Sequence, residues 1–239
     1  MQDANEGNTK SVAKSIALGT IVSTVGVTSY FAFQTERAGE RSFWVLAAAP
    51  VLVFAVAALF LSGRHARLWQ WVKPKSGDFS IGFFAAGVLF AAAYAFSKIV
   101  TGGESARAMW LARIYLQTGD PTILRAHPTV LLFGLILAAA AEEIVWRGVV
   151  LSLLEERVGE RYAWAASAVL YALAYVPTMW SLESPRAGLD PVLPLAALFL
   201  GLALGWLVKR FERLLPAVVA HALFAWAVLV MFRLWGDSL

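Results

Sequence analysis

The chain has 239 residues, 59% of them hydrophobic and only 15% charged, with a formal net charge of +4. Soluble domains run to roughly 25% charged residues, so this composition excludes an ordinary soluble globule and points to an integral membrane protein. The absence of cysteine excludes disulfides, thiolate metal sites and a cysteine nucleophile. The basic excess lies in short segments between apolar runs, where it reads as a topology signal and not as a nucleic-acid surface.

Residues 1–14 are polar and carry Lys10 and Lys14. The apolar run 16–33 follows without a small-residue cleavage site and reads as a retained signal anchor. A spanning helix needs about 20 mostly apolar residues. Further runs at 43–62, 79–100, 128–154, 162–180, 192–208 and 214–235 bring the expected number of spans to about seven. The stretch 104–117 mixes Met109, Trp110, Ile114 and Leu116 with Arg107 and Arg113, the pattern of a helix lying at the interface. The expected fold is therefore all-α, a polytopic transmembrane helix bundle with one interfacial helix.

Lys10, Lys14, Arg64, Arg67, Lys73 and Lys75 head a modest excess of basic residues on one side of these spans, which predicts a cytoplasmic N-terminus. The expected location is a bacterial inner membrane. Trp69, Trp71, Trp180 and Trp235 sit at run ends, where an amphipathic ring suits the headgroup level. Gly201 and Gly205 form a small-xxx-small pair suited to close helix packing within the bundle.

The chemistry concentrates in the run 128–154. Glu142, Glu143 and Arg147 lie inside it, and an isolated ionised side chain at the bilayer centre costs on the order of 3 kcal/mol. Glu143 and Arg147 are four apart, the spacing and order of a helical ion pair. Glu142 points about 100° away from Glu143, free to face a cavity and take a proton from water. The same charges also suit a purely structural ion pair or a transporter's proton relay. No paired repeats or broken helices of a transporter are evident. His221, about 10 Å into the last run from residue 214, lies at a depth where it can meet Glu142. His65 sits in a basic loop and His127 lies about 22 Å from Glu142 along a helix, so neither joins such a site.

The run AEEIVWRGVV resembles the first motif, Glu-Glu-x-x-x-Arg, of the CPBP family, the membrane proteases that include CAAX prenyl endopeptidases and bacteriocin-processing relatives. That motif maps onto Glu142, Glu143 and Arg147. The second motif, an aromatic followed four residues later by His, aligns with Tyr171 and Tyr175. The third, His-x-x-x-Asn or a small substitute, aligns with His221 and Ala225 after a glycine-rich lead-in. The resemblance implies that 128–239 is the catalytic bundle, while 1–127 contributes membrane helices without a recognised motif to the same continuous domain.

What the resemblance implies is an intramembrane endopeptidase that cleaves a membrane-embedded or membrane-proximal protein or peptide near the cytoplasmic face. Glu142 would activate water, Glu143 would be locked by Arg147, and His221 with Tyr175 would hold the oxyanion. In place of the family's second histidine stands Tyr175. A phenol is a poor zinc ligand at neutral pH but a competent oxyanion donor, so a cofactor-free reaction is expected, with zinc as the alternative. The competing reading is a catalytically silent relative that recognises membrane segments, with Tyr175 as a packed aromatic.

Overall fold

Apolar runs dictate helices because, in lipid, a helix satisfies its own backbone polar groups. The computed structural model describes residues 2–61, 66–102 and 106–232, and over these the protein is all-α. The helices are α1 (Gln2–Ala32), α2 (Arg41–Leu61), α3 (Ala66–Val72), α4 (Asp78–Thr101), α5 (Ala108–Thr118), α6 (Pro121–Ala126), α7 (Pro128–Glu143), α8 (Leu151–Val158), α9 (Glu160–Tyr175), α10 (Thr178–Ser181), α11 (Val192–Phe211) and α12 (Leu215–Trp226). A π-helical segment, Ile144–Val150, joins α7 to α8, and another, Ala227–Met231, extends α12.

Among the described residues, five helices are long and apolar enough to cross a membrane: Val12–Ala32, Arg41–Phe60, Asp78–Val100, Pro128–Val158 and Val192–Phe211. The apolar helix Leu215–Met231 is shorter. Against the expected count of about seven, the described residues hold five full-length candidate spans and one shorter apolar helix. The run 162–180 does not persist as one rod. Pro177, which has no N–H to continue the ladder, ends α9 at Tyr175, and the four-residue α10 follows. His65, Trp235 and the start of the expected interfacial stretch at Glu104 lie outside the described residues. Within that stretch α5 forms, with Leu111 and Tyr115 buried against the bundle and Met109 and Leu116 exposed.

The core is built around α9, which packs on α1, α8 and α11, and around α12, which packs on α4, α7 and α11. Glycines set the closest seams. A Cβ at Gly201 would stand 2.9 Å from the Ala168 Cβ, and one at Gly82 would stand 2.6 Å from the Val219 Cβ. So Gly201 closes α11 on α9, and Gly82 closes α4 on α12. A partly buried ion pair ties the start of α4 to the start of α12: Arg213 Nη1 donates to Asp78 Oδ1 at 2.8 Å, with Asp78 fully buried.

Candidate active site

Glu142 and Glu143 fall at the junction of α7 with the π-helical segment, near the middle of the continuous rod Pro128–Val158. Four successive alanines, residues 138–141, precede them and keep that face of α7 slim enough for neighbouring helices to approach. The wider π turn carries Arg147, and turns of this kind are frequent at functional sites. Trp146 O accepts the N–H of Leu151 and also the hydroxyl of Ser167 at 2.8 Å, so α9 is stitched to the wide turn.

The first carboxylate pair is sealed. Arg147 Nη1 donates to Glu143 Oε1 at 3.0 Å, the side chains being 2% and 0% exposed, and Arg147 Nη2 reaches Leu200 O at 3.4 Å. Glu143 Oε1 also receives His221 Nδ1 at 2.9 Å. An imidazole N–H directed at a carboxylate fixes the tautomer, so Nε2 is the nitrogen that His221 turns toward Glu142. Glu143 Oε2 is buried without a hydrogen-bond partner.

The second carboxylate is open. Glu142 is 14% and His221 12% exposed, and His221 Nε2 lies 4.0 Å from Glu142 Oε2. Both Glu142 oxygens accept from α9: Tyr175 donates to Oε1 at 3.1 Å, and Tyr171 donates to Oε2. The Tyr171 ring stacks at a tilt on Trp146, meets Tyr175 edge-on at 5.4 Å between centroids, and lies 5.0 Å from Arg147 Cζ. His221 and Ala225 line a cavity of about 440 Å³ bounded by α4, α5, α11 and α12, whose walls are almost wholly apolar.

The structure therefore brings Glu142, Glu143, Arg147, Tyr175 and His221 together. It adds one residue that the sequence reading used only as an aromatic, Tyr171. Its signal was present: a buried Tyr needs a partner for its hydroxyl, and Tyr171 and Tyr175, four apart, share a helical face.

A zinc ion would have to draw on Glu142, Glu143 and His221. Arg147 and His221 already converge on Glu143, two phenols close on Glu142, and among the described residues no three His, Cys, Asp or Glu side chains are arranged to hold a metal. This donor set does not fit zinc.

Of the paired intramembrane carboxylates, one is sealed by arginine and one is partly exposed beside a histidine that lines an apolar cavity, an arrangement able to supply a general base for hydrolysis. Residues 125–227 match the family model of type II CAAX prenyl endopeptidase Rce1-like proteins, and this segment is a domain of that CPBP family. The protein is thus an integral membrane protein, and the family that its matched segment resembles consists of proteases. No curated protein and no solved structure matches the chain.

Proposed function

We propose that the protein is an intramembrane endopeptidase that cleaves a peptide bond near the cytoplasmic face of the membrane by glutamate-activated water. The observation that carries this reading is the contrast between the two carboxylates, Glu143 at 0% exposure and Glu142 at 14% beside His221.

Water held between Glu142 and His221 gives a proton to Glu142 as its oxygen bonds to the scissile carbonyl carbon. The carbonyl oxygen becomes an oxyanion and accepts from His221 Nε2–H when the imidazole is doubly protonated, with Nδ1–H anchored on Glu143. Tyr175, whose hydrogen bond to Glu142 is 3.1 Å long, transfers its O–H from the newly protonated carboxyl to the same oxyanion. The C–N bond then breaks, and Glu142 returns its proton to the leaving amine. Tyr171 stays on Oε2 and keeps the carboxyl in place.

The short helices α9 and α12 complete a seven-pass bundle in this reading. The support is their packing against the full-length spans and the basic excess in the sequence, which favours a cytoplasmic N-terminus.

One observation favours a second reading, a silent relative that binds membrane segments: both oxygens of Glu142 are covered by phenols. Reconstituted liposomes separate the two. Wild type should cleave a single-span reporter substrate, and Glu142→Gln should not. A wild type that captures the reporter without cleaving it establishes the silent reading.

A further inference from the structure

One seam of the bundle is left unfilled by protein. Because α4 packs chiefly on α12 and α11 chiefly on α9, a groove of about 520 Å³ lies between α4 and α11, lined by Ile81, Phe84 and Val88 on one side and Ala203, Trp206 and Phe211 on the other. It adjoins the cavity at His221 and shares Leu89 with it as a wall. Phe84, Val88 and Trp206 are exposed, so the groove is open along its length.

Its lining selects the occupant. From Ser80 to Leu89, α4 rises about 14 Å, the length of the groove. The N–H and C=O groups of an extended peptide would face a lining whose side chains offer only the Ser80 hydroxyl and the Trp206 indole. Unsatisfied backbone groups are not tolerated in such surroundings. A methylene chain needs no partners.

Charge selects the other end of that chain. The groove opens where α11 ends in Arg210 and Phe211 and where α4 begins. The Arg210 guanidinium carbon lies 5.8 Å from the centre of the Phe211 ring that lines the groove, and Lys75 is exposed just before α4. Arg213, at the same end, is balanced by Asp78. Glu212, exposed beside Phe211, offsets one of the two remaining cations, and the mouth still keeps a net positive charge, as expected of basic pockets between spans that take anionic headgroups.

We propose that the α4–α11 groove binds one anionic phospholipid of the bilayer, with an acyl chain along the groove and the phosphate at Arg210 and Lys75. The lipid fills the seam between two helices that do not otherwise close on each other. Its chain ends at Leu89, the wall of the His221 cavity. The assignment stands independently of whether the protein cleaves peptides.

Native mass spectrometry of the full chain, exchanged from vesicles of phosphatidylglycerol or phosphatidylcholine into detergent, tests it. Wild type should retain one phosphatidylglycerol at collision energies that strip phosphatidylcholine. Filling the groove from either wall, by Ala203→Trp or by Val88→Phe at an exposed position, should remove the retained lipid, with melting temperature as the control for folding. Arg210→Gln should keep a bound lipid but lower the preference for phosphatidylglycerol by about tenfold. Equal retention of the two lipids, or retention unchanged in whichever filled variant folds, would overturn the proposal. So would a lipid-free dimer that both filled variants dissociate, or displacement of the lipid by a prenylated peptide.

Discussion

Tyr171 donates its phenolic proton to Glu142 Oε2, the same oxygen that His221 Nε2 faces at 4.0 Å. The oxygen best placed to meet a water near His221 is thus gripped from behind by α9. Losing one hydrogen bond to a charged group is worth about 1.5–3 kcal/mol, so Tyr171→Phe should lower kcat by roughly 10–100-fold and leave KM nearly unchanged. Steady-state cleavage in liposomes reads this directly, and a change confined to KM would show that Tyr171 serves substrate binding instead.

Tyr175→Phe removes a different function. If its hydroxyl moves to the oxyanion, the rate should drop by about a hundredfold or more, as for loss of one oxyanion donor. Tyr175→His, which restores the family residue, is the companion variant. Wild-type turnover in Tyr175→Phe would reduce Tyr175 to a packed aromatic.

Arg147 should act through folding. Its partner Glu143 is fully buried, so Arg147→Ala strands a carboxylate at a loss of about 3–5 kcal/mol. The double variant Arg147→Met with Glu143→Gln removes both charges and should recover much of that loss. Thermal unfolding in detergent checks both, and an Arg147→Ala protein that melts like wild type would show the pair to be dispensable.

Much of this site was legible from spacing alone. The i, i+4 rule places Arg147 on Glu143, and the depth of His221 along its run brings it to the glutamates. Which glutamate His221 touches was not legible. Spacing along separate helices says nothing of how α12 is rotated, and the structure directs Nδ1 to Glu143 while Nε2 faces Glu142. Tyr171 escaped because a motif position read as an aromatic ring hides its hydroxyl. Span lengths failed where hydropathy is blind to backbone chemistry: Pro177 ends α9, and a π turn interrupts the last run at Ala227.

Outside the spans, Asp190 carries a pH dependence. It precedes α11, accepts from Val192 N at 2.9 Å and is fully buried; burial raises its carboxyl from 3.8 to about 6, against the lowering effects of the Val192 N–H and of Arg113. The folded state then holds this proton more tightly than the unfolded one. Its stabilising contribution is complete below pH 3.8 and is lost as the pH rises to about 6. Asp190→Asn keeps the acceptor for Val192 and should flatten that slope, gaining on the order of 2 kcal/mol above pH 6. Unfolding midpoints at several pH values between 4 and 7 measure it; parallel curves for the two proteins would refute the assignment.

Activity should survive exhaustive chelation, because the carboxylates are engaged by Arg147, His221 and two phenols. Stoichiometric zinc in the purified protein, with cleavage lost to chelator and restored by zinc, would replace this with metal chemistry.

The wide turn Ile144–Val150 has a consequence for how one rod meets its neighbours. A π turn takes up about one residue more than an α turn, so the helix beyond it resumes about 100° out of phase with the helix before it. A hydrophobic stripe extrapolated from α7 therefore misses the stripe of α8. Before the shift, the rod leans on α2 and α12; after it, the rod leans on α9. A single continuous span thereby keeps two appointments, holding its glutamates against the histidine of α12 with one half and gripping with the other the helix whose tyrosines reach back to them.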